Sequence, residues 1–169
     1  MAPTTGTAKV TLPTDEQILI TRDLDAPRHL VYRAWTTPEL VERWWCGHYG
    51  KLLSVAIDLR VGGRWRYVME SEGVEMPFHG EYREIVPGER IVHTEVFEMP
   101  GSGIGPEDDD AAVLTTVTFV ELDGRTRLEQ LVEAGSRQVR DAMLESGMES
   151  GVQQQLDVLE ELAGTLPDA

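Results

Sequence analysis

An α+β fold is what this sequence predicts: a run of antiparallel strands, two short helices after the first strand, and one long helix at the end. Three observations carry it. Apolar and polar residues alternate through most of residues 52–132, the two-residue period of half-buried strands. The pairs Glu72-Gly73, Pro87-Gly88 and Asp123-Gly124 interrupt that alternation where hairpins need turns. Residues 28–45 and 139–163 show instead the three-to-four-residue spacing of amphipathic helices.

Taken in order, residues 1–16 are polar and small and predict a flexible tail. ILITRDL, residues 18–24, is the first strand. Asp25 or Ala26 opens a helix that Pro27 starts well, with Leu30, Val31, Ala34 and Trp35 as its apolar stripe. Thr37 caps a second short helix with Pro38 at its first position, Leu40, Val41, Trp44 and Trp45 on one face, and Gly47 ending it. Strands then follow one another to residue 132, broken once by the acidic, Gly/Pro-rich stretch EMPGSGIGPEDDDAA. That stretch is too long for a tight turn. It reads as a solvated loop, with a lid or a weak cation site at Asp108 to Asp110 as alternatives. Val152, Leu156, Leu159 and Ala163 define the closing helix. Val139 and Met143 start it near Ser136, with Gly147 or Gly151 bending it. Residues 165–169 are a short tail, and no repeat or linker divides the domain over 17–164.

Turn positions fix strand register, and register fixes which side chains share a face. About Glu72-Gly73, Tyr67 faces Phe78 and Trp65 faces Gly80, while Arg64/Glu81 and Arg66/His79 pair on the other side. About Pro87-Gly88, Tyr82 faces His93, Gly80 faces Glu95, and Glu84 faces Ile91. About Asp123-Gly124, Phe119 faces Leu128 and Val117 faces Gln130. The inner face therefore collects Trp65, Tyr67, Phe78, Tyr82, Val117 and Phe119 together with Glu84, His93, Glu95 and Gln130. A buried polar group without a partner costs ~1–3 kcal/mol, and an unpaired charge more. Two accounts remain open: the carboxylates sit in water near a sheet end, or the face lines a space that holds a ligand. With two carboxylates beside it, His93 is expected to have a raised pKa.

Composition excludes several classes. The 169 residues suffice for one domain that hides roughly 70% of its unfolded surface. A net charge of −15 argues against nucleic acid and anionic membrane as partners. The single cysteine, Cys46, precludes an internal disulfide or a cysteine metal cluster, and the histidines lie on four separate segments. No metal or other cofactor is expected. No apolar stretch approaches the ~20 residues of a membrane span, so a cytoplasmic location is expected. No Ser/His/Asp order, nucleophile elbow, phosphate loop or HExxH segment occurs, and no residue is assigned a catalytic role.

The runs APRHLVYRAWTTPELVERWW, DLRVGGRWRYVM, FHGEYREIVPGERIVHT and LDVLEEL resemble the SRPBCC superfamily, the START-like or Bet v 1-like helix-grip fold. Within it they are most similar to the branch named for the heat-shock chaperone (Hsp-90 type) ATPase activator C-terminal domain. The resemblance covers about residues 17–164. It implies a curved antiparallel sheet wrapped around the long C-terminal helix, with a cavity between them. It matches Trp44 and Trp45 to the family's tandem tryptophans, which implies helix-to-sheet packing, with one of the two closing the pocket mouth as the alternative. Departures are Gly147-Met148 where relatives often carry Gly-Trp, and a longer acidic insertion near Asp108.

Three functions follow as expectations. The first is binding of a small hydrophobic or aromatic ligand by Trp45 and the inner-face residues named above. The second is a protein-interaction module of the chaperone-activator type, although the sequence leaves no room for the additional N-terminal domain of the eukaryotic co-chaperones. The third is a cyclase- or hydrolase-type enzyme using the same cavity.

Overall fold

The computed structural model describes residues 7–109 and 112–167. Eight strands form one curved, unclosed antiparallel sheet. They are β1 (Lys9–Thr11), β2 (Gln17–Leu24), β3 (Lys51–Ile57), β4 (Arg64–Ser71), β5 (Val74–Val86), β6 (Arg90–Phe97), β7 (Val113–Leu122) and β8 (Arg125–Glu133). Their order is β1-β2-β8-β7-β6-β5-β4-β3. Helices α1 (Arg28–Thr36) and α2 (Pro38–Trp44) lie between β2 and β3, and α3 (Arg137–Glu145) and α4 (Met148–Ala163) close the chain. This is the expected α+β helix-grip arrangement.

Local chemistry explains most element ends. Glu72 and Gly73 both have positive φ, as do Asp123 and Gly124, the mirror-image turn whose twist matches a two-residue hairpin. Pro38 occupies the first turn of α2, where a missing N–H costs nothing. The Ser136 side chain accepts from Val139 N and caps α3.

Three expectations are revised. Part of the predicted N-terminal tail is a strand, because Lys9–Thr11 pairs with Leu19–Thr21 of β2; residues 1–6 lie outside the described residues. The last helix is two, since Gly147 at φ 86° ends the continuous α-helical path and starts α4 afresh. Third, the Pro87-Gly88 hairpin has three loop residues, with Val86 opposite Arg90. A bulge at Arg83 absorbs the extra residue, so Glu84 faces Val92 instead of Ile91 while Tyr82 still faces His93. One residue of slip exchanges faces. Ile85 joins the core, and Glu84 turns outward to an ion pair with Arg90.

The core gathers Ile18, Ile20 and Leu24 of β2, Leu30, Val31 and Ala34 of α1, and Leu156, Leu159 and Ala163 of α4, all nearly solvent-free. Each of the Ile, Leu and Val side chains contributes about 1.5–3 kcal/mol by leaving water. Among them Arg22 of β2, fully buried, reaches Asp157 at 2.6 Å and Glu160 at 3.2 Å on α4. On the opposite face of the sheet, Arg66 pairs with His79 as expected. His79 is nevertheless buried, for its Nδ1 lies 2.9 Å from Glu98 and its Nε2 2.7 Å from the Asp108 carbonyl. The acidic stretch is thus folded against the sheet, and Arg64 holds Asp109 at 3.1 Å. Asp110, part of the alternative cation site, lies outside the described residues.

Candidate functional site

Two irregularities shape the inner face. Between the β5/β6 pairs His79–Val96 and Tyr82–His93 the regular ladder pauses at Gly80. There the Trp65 indole Nε1 donates across to the Thr94 carbonyl at 3.1 Å, and Thr94 Oγ1 accepts from Glu81 N at 2.9 Å. His93 Nδ1 donates to the same Thr94 carbonyl at 3.2 Å. A carbonyl released from the sheet ladder thereby orients two side chains. Gly80 makes room for this: a Cβ there would stand 1.8 Å from Thr94 O and 2.5 Å from Trp65 Nε1.

Beside these groups lies a cavity of about 380 Å³ between the sheet and the helices. Strands β4 to β6 supply Trp65, Tyr67, Phe78, Tyr82, His93 and Glu95, and β8 supplies Gln130. Trp45, just beyond α2, packs edge-on against Tyr67 and Phe78 at centroid distances of 5.2 and 5.1 Å. Its carbonyl accepts a hydrogen bond from Gln155 of α4. A second, more open hollow of about 520 Å³ lies toward the α3–α4 corner. Trp45, Phe78, Met148, Val152 and Gln155 border both spaces, so this group forms the partition between interior and mouth. Trp44 borders the inner cavity only; it is buried, and its Nε1 donates to Ala34 O at 2.9 Å.

Eight of the eleven residues expected at a site line the cavity: Trp45, Trp65, Tyr67, Phe78, Tyr82, His93, Glu95 and Gln130. Three do not. The bulge turns Glu84 outward. Val117 and Phe119 are on the inner face but buried, at 0% and 1% exposure. Phe119 is covered by Tyr32 and Trp35 of α1 at 5.4 and 5.8 Å, which fills that end of the sheet. The wall also includes Thr115, Met143 and Gln155, which the sequence reading left out. Extending the alternation of Val117 and Phe119 two residues back would have found Thr115; the helical residues depend on how α3 and α4 dock.

The cavity's titrating groups behave differently from expectation. Burial holds His93 down to about 4, against its ordinary 6.5. The predicted raised value fails because Glu84 is absent and Glu95 is itself reluctant to ionise. Burial pushes Glu95 up to about 7 from 4.5, and it likewise raises the Tyr67 phenol. Both His93 and Glu95 are half-buried by surface area yet lie deep among protein atoms, as groups on a cavity wall do. Cys46, at the mouth, is pushed up to about 11 by burial, which leaves its thiol protonated at neutral pH.

These two shifts act on stability in opposite senses. Glu95 has a raised folded-state pKa, so its contribution is full below 4.5 and is lost as pH rises to about 7. His93 has a depressed one, so its contribution is full above 6.5 and is lost as pH falls to about 4. Relative to the parent, Glu95→Gln is therefore expected to gain melting temperature as pH rises from 4.5 to 7. His93→Gln is expected to gain it as pH falls from 6.5 to 4. Calorimetric melts across pH 4–8 check this; parallel curves for the two variants would refute the assignment.

Comparison with known proteins places the chain. Residues 25–164 match the model of the family described as activator of Hsp90 ATPase homolog 1-like protein. The chain belongs to that family. A protein of known structure from Chromobacterium violaceum is 30% identical, with a TM-score of 0.71 over 86% of this chain and 96% of the other. A Rhodobacter sphaeroides protein shares 20% identity, with a TM-score of 0.83 over 95% and 99%. An AHSA1-like protein from Aeromonas hydrophila shares 19%, with a TM-score of 0.64 over 86% and 92%. The last two show the shared fold alone. No curated protein matches. For this family member, no helix among the described residues is long and apolar enough to cross a membrane.

Proposed function

We propose that this protein binds a small hydrophobic or aromatic molecule in the cavity between the sheet and α4. One observation carries the reading. The cavity is walled by aromatic rings, yet Glu95 and Gln130 on its wall have no side-chain hydrogen bond or ion pair among the described residues. The His93 ring, donating through Nδ1, leaves Nε2 as an acceptor. A space of about 380 Å³ with a few polar groups set in aromatic walls suits a small ligand, for which pockets of ~300–1,000 Å³ are usual. Trp45 and Phe78, at the partition, are the residues a ligand passes.

Native mass spectrometry of the protein from its own host, with titration of a neutral fluorescent probe such as N-phenyl-1-naphthylamine, tests this. The expected result is a bound small molecule in the first and saturable one-to-one binding in the second. Tyr67→Ala is expected to weaken probe binding about tenfold while the domain stays folded. Unfolding of that variant, or an empty protein that ignores the probe, counts against the reading. The family description supports a second reading, an interaction module acting on a chaperone ATPase, and a consistently empty cavity would favour it.

A further inference from the structure

We infer that the ligand of this cavity is an organic cation: an ammonium group on an apolar body, neutralised by Glu95 within the surrounding aromatic rings. The inference rests on the cavity being a ligand site and adds the sign of the ligand's charge. Among the described residues, no Lys or Arg lines either the cavity or the hollow outside it. The titratable groups facing the space with Glu95 are His93 on the same strand, Tyr67 from β4 and Tyr82 from β5. From α3, α4 and the corner between them come Met143, Ser146, Met148, Val152 and Gln155, and none of these titrates near neutral pH. His93 contributes no positive charge at neutral pH, because burial keeps its ring neutral down to about 4.

Among the described residues, Glu95 is thus the one group in the cavity that can carry charge near neutral pH. Its side chain has no hydrogen-bond or ion-pair partner among the described residues. Burial alone holds it near pH 7, half-ready to ionise. A cation entering the space supplies the missing counter-charge. Aromatic rings attract a cation through their quadrupoles, tryptophan most strongly, and Trp45 and Trp65 both border the cavity. An anion would face an unpaired carboxyl and no donor of positive charge. A neutral ligand would gain a hydrogen bond from Glu95 and nothing from its charge. The chain's net charge of −15 favours the approach of cations over anions.

The test is calorimetric and NMR titration of the full chain with three probes of similar shape. These are benzyltrimethylammonium, its uncharged carbon isostere neopentylbenzene, and phenylacetate. At pH 8 the quaternary ammonium is expected to bind at least tenfold more tightly than either of the others. It cannot titrate, so its affinity should fall about tenfold per pH unit below about 7 as Glu95 takes up a proton. His93 and the tyrosines titrate outside that window. Glu95→Gln is expected to abolish both the preference for the cation and its pH dependence. Equal binding of cation and hydrocarbon overturns the inference and leaves the cavity as a ligand site. So does a pH-independent cation affinity in the parent protein, a measurement that needs no variant. Binding of none of the three probes overturns both readings.

Discussion

Replacing Gly80 with alanine is expected to destabilise the domain by about 4 kcal/mol or more, a large share of the ~5–15 kcal/mol that folded domains have. The new methyl would lie 1.8 Å from the Thr94 carbonyl oxygen and 2.7 Å from its carbon. Both are backbone atoms of the neighbouring strand and have no rotamer to move into. The same methyl would displace the Trp65 indole, whose Nε1 then loses its acceptor in a buried site, a further cost of about 1–3 kcal/mol. Gly151→Ala is the matched control. Gly151 lies inside α4 with only Tyr49 nearby, 3.8 Å from the added carbon, so alanine there should stabilise by roughly 0.5–1 kcal/mol. Urea denaturation of the two variants should show shifts of opposite sign. A mild effect at Gly80 would mean that β5 and β6 separate easily and that the inner face is softer than its hydrogen bonds imply.

Arg22→Leu is expected to cost about 3–5 kcal/mol, because it removes a buried guanidinium that faces two carboxylates. Arg22 is enclosed completely on the inner face of β2 and binds two carboxylates of α4. It also donates to the Gln153 carbonyl at 3.3 Å. Glu160, 8% exposed in its side chain, also accepts from Asp25 N at 2.6 Å. The cluster thus fixes α4 to β2 and to the start of α1. Without the guanidinium, Glu160 remains buried next to Asp157 with its main counter-charge gone. Replacing both partners, Arg22→Met with Glu160→Leu, should recover part of the loss, since a buried pair exchanged for hydrocarbon is often close to neutral. The exposed pair Arg60–Asp58 is the comparison, and Arg60→Ala should change little. A loss at Arg22 no larger than at Arg60 would show that α4 is held by its apolar stripe alone.

Arg22 also marks a limit of sequence reading. Its signal was present, since Ile18, Ile20, Arg22 and Leu24 share one phase of a strand, which puts a charged residue on the buried side. Only its partners were invisible, lying more than 130 residues away on α4. Glu84 failed for the opposite reason. A two-residue turn would put it on the inner face, and an extra residue in the loop with a compensating bulge reverses that phase. A bulge costs one residue of alternation, and the stretch REIVPGER does not declare where that residue goes.

What the sequence determined by itself is the architecture and the membership of one face. The strands, their turns and the helical spacing that closes the chain are local properties, written in two- and four-residue periods and in Gly-containing turns. Pairing Tyr67 with Phe78 and Val117 with Gln130 needed nothing more, whereas Tyr82 meets His93 only because the bulge at Arg83 offsets the longer loop. Tertiary structure alone decided which part of that face is filled and which is empty. Tyr32 and Trp35 of α1 cover Phe119, whereas α3 and α4 leave a gap over His93, Glu95 and Gln130. That difference sets the protonation of both titrating groups, because desolvation depends on everything packed within reach of a charge, from any distance along the chain.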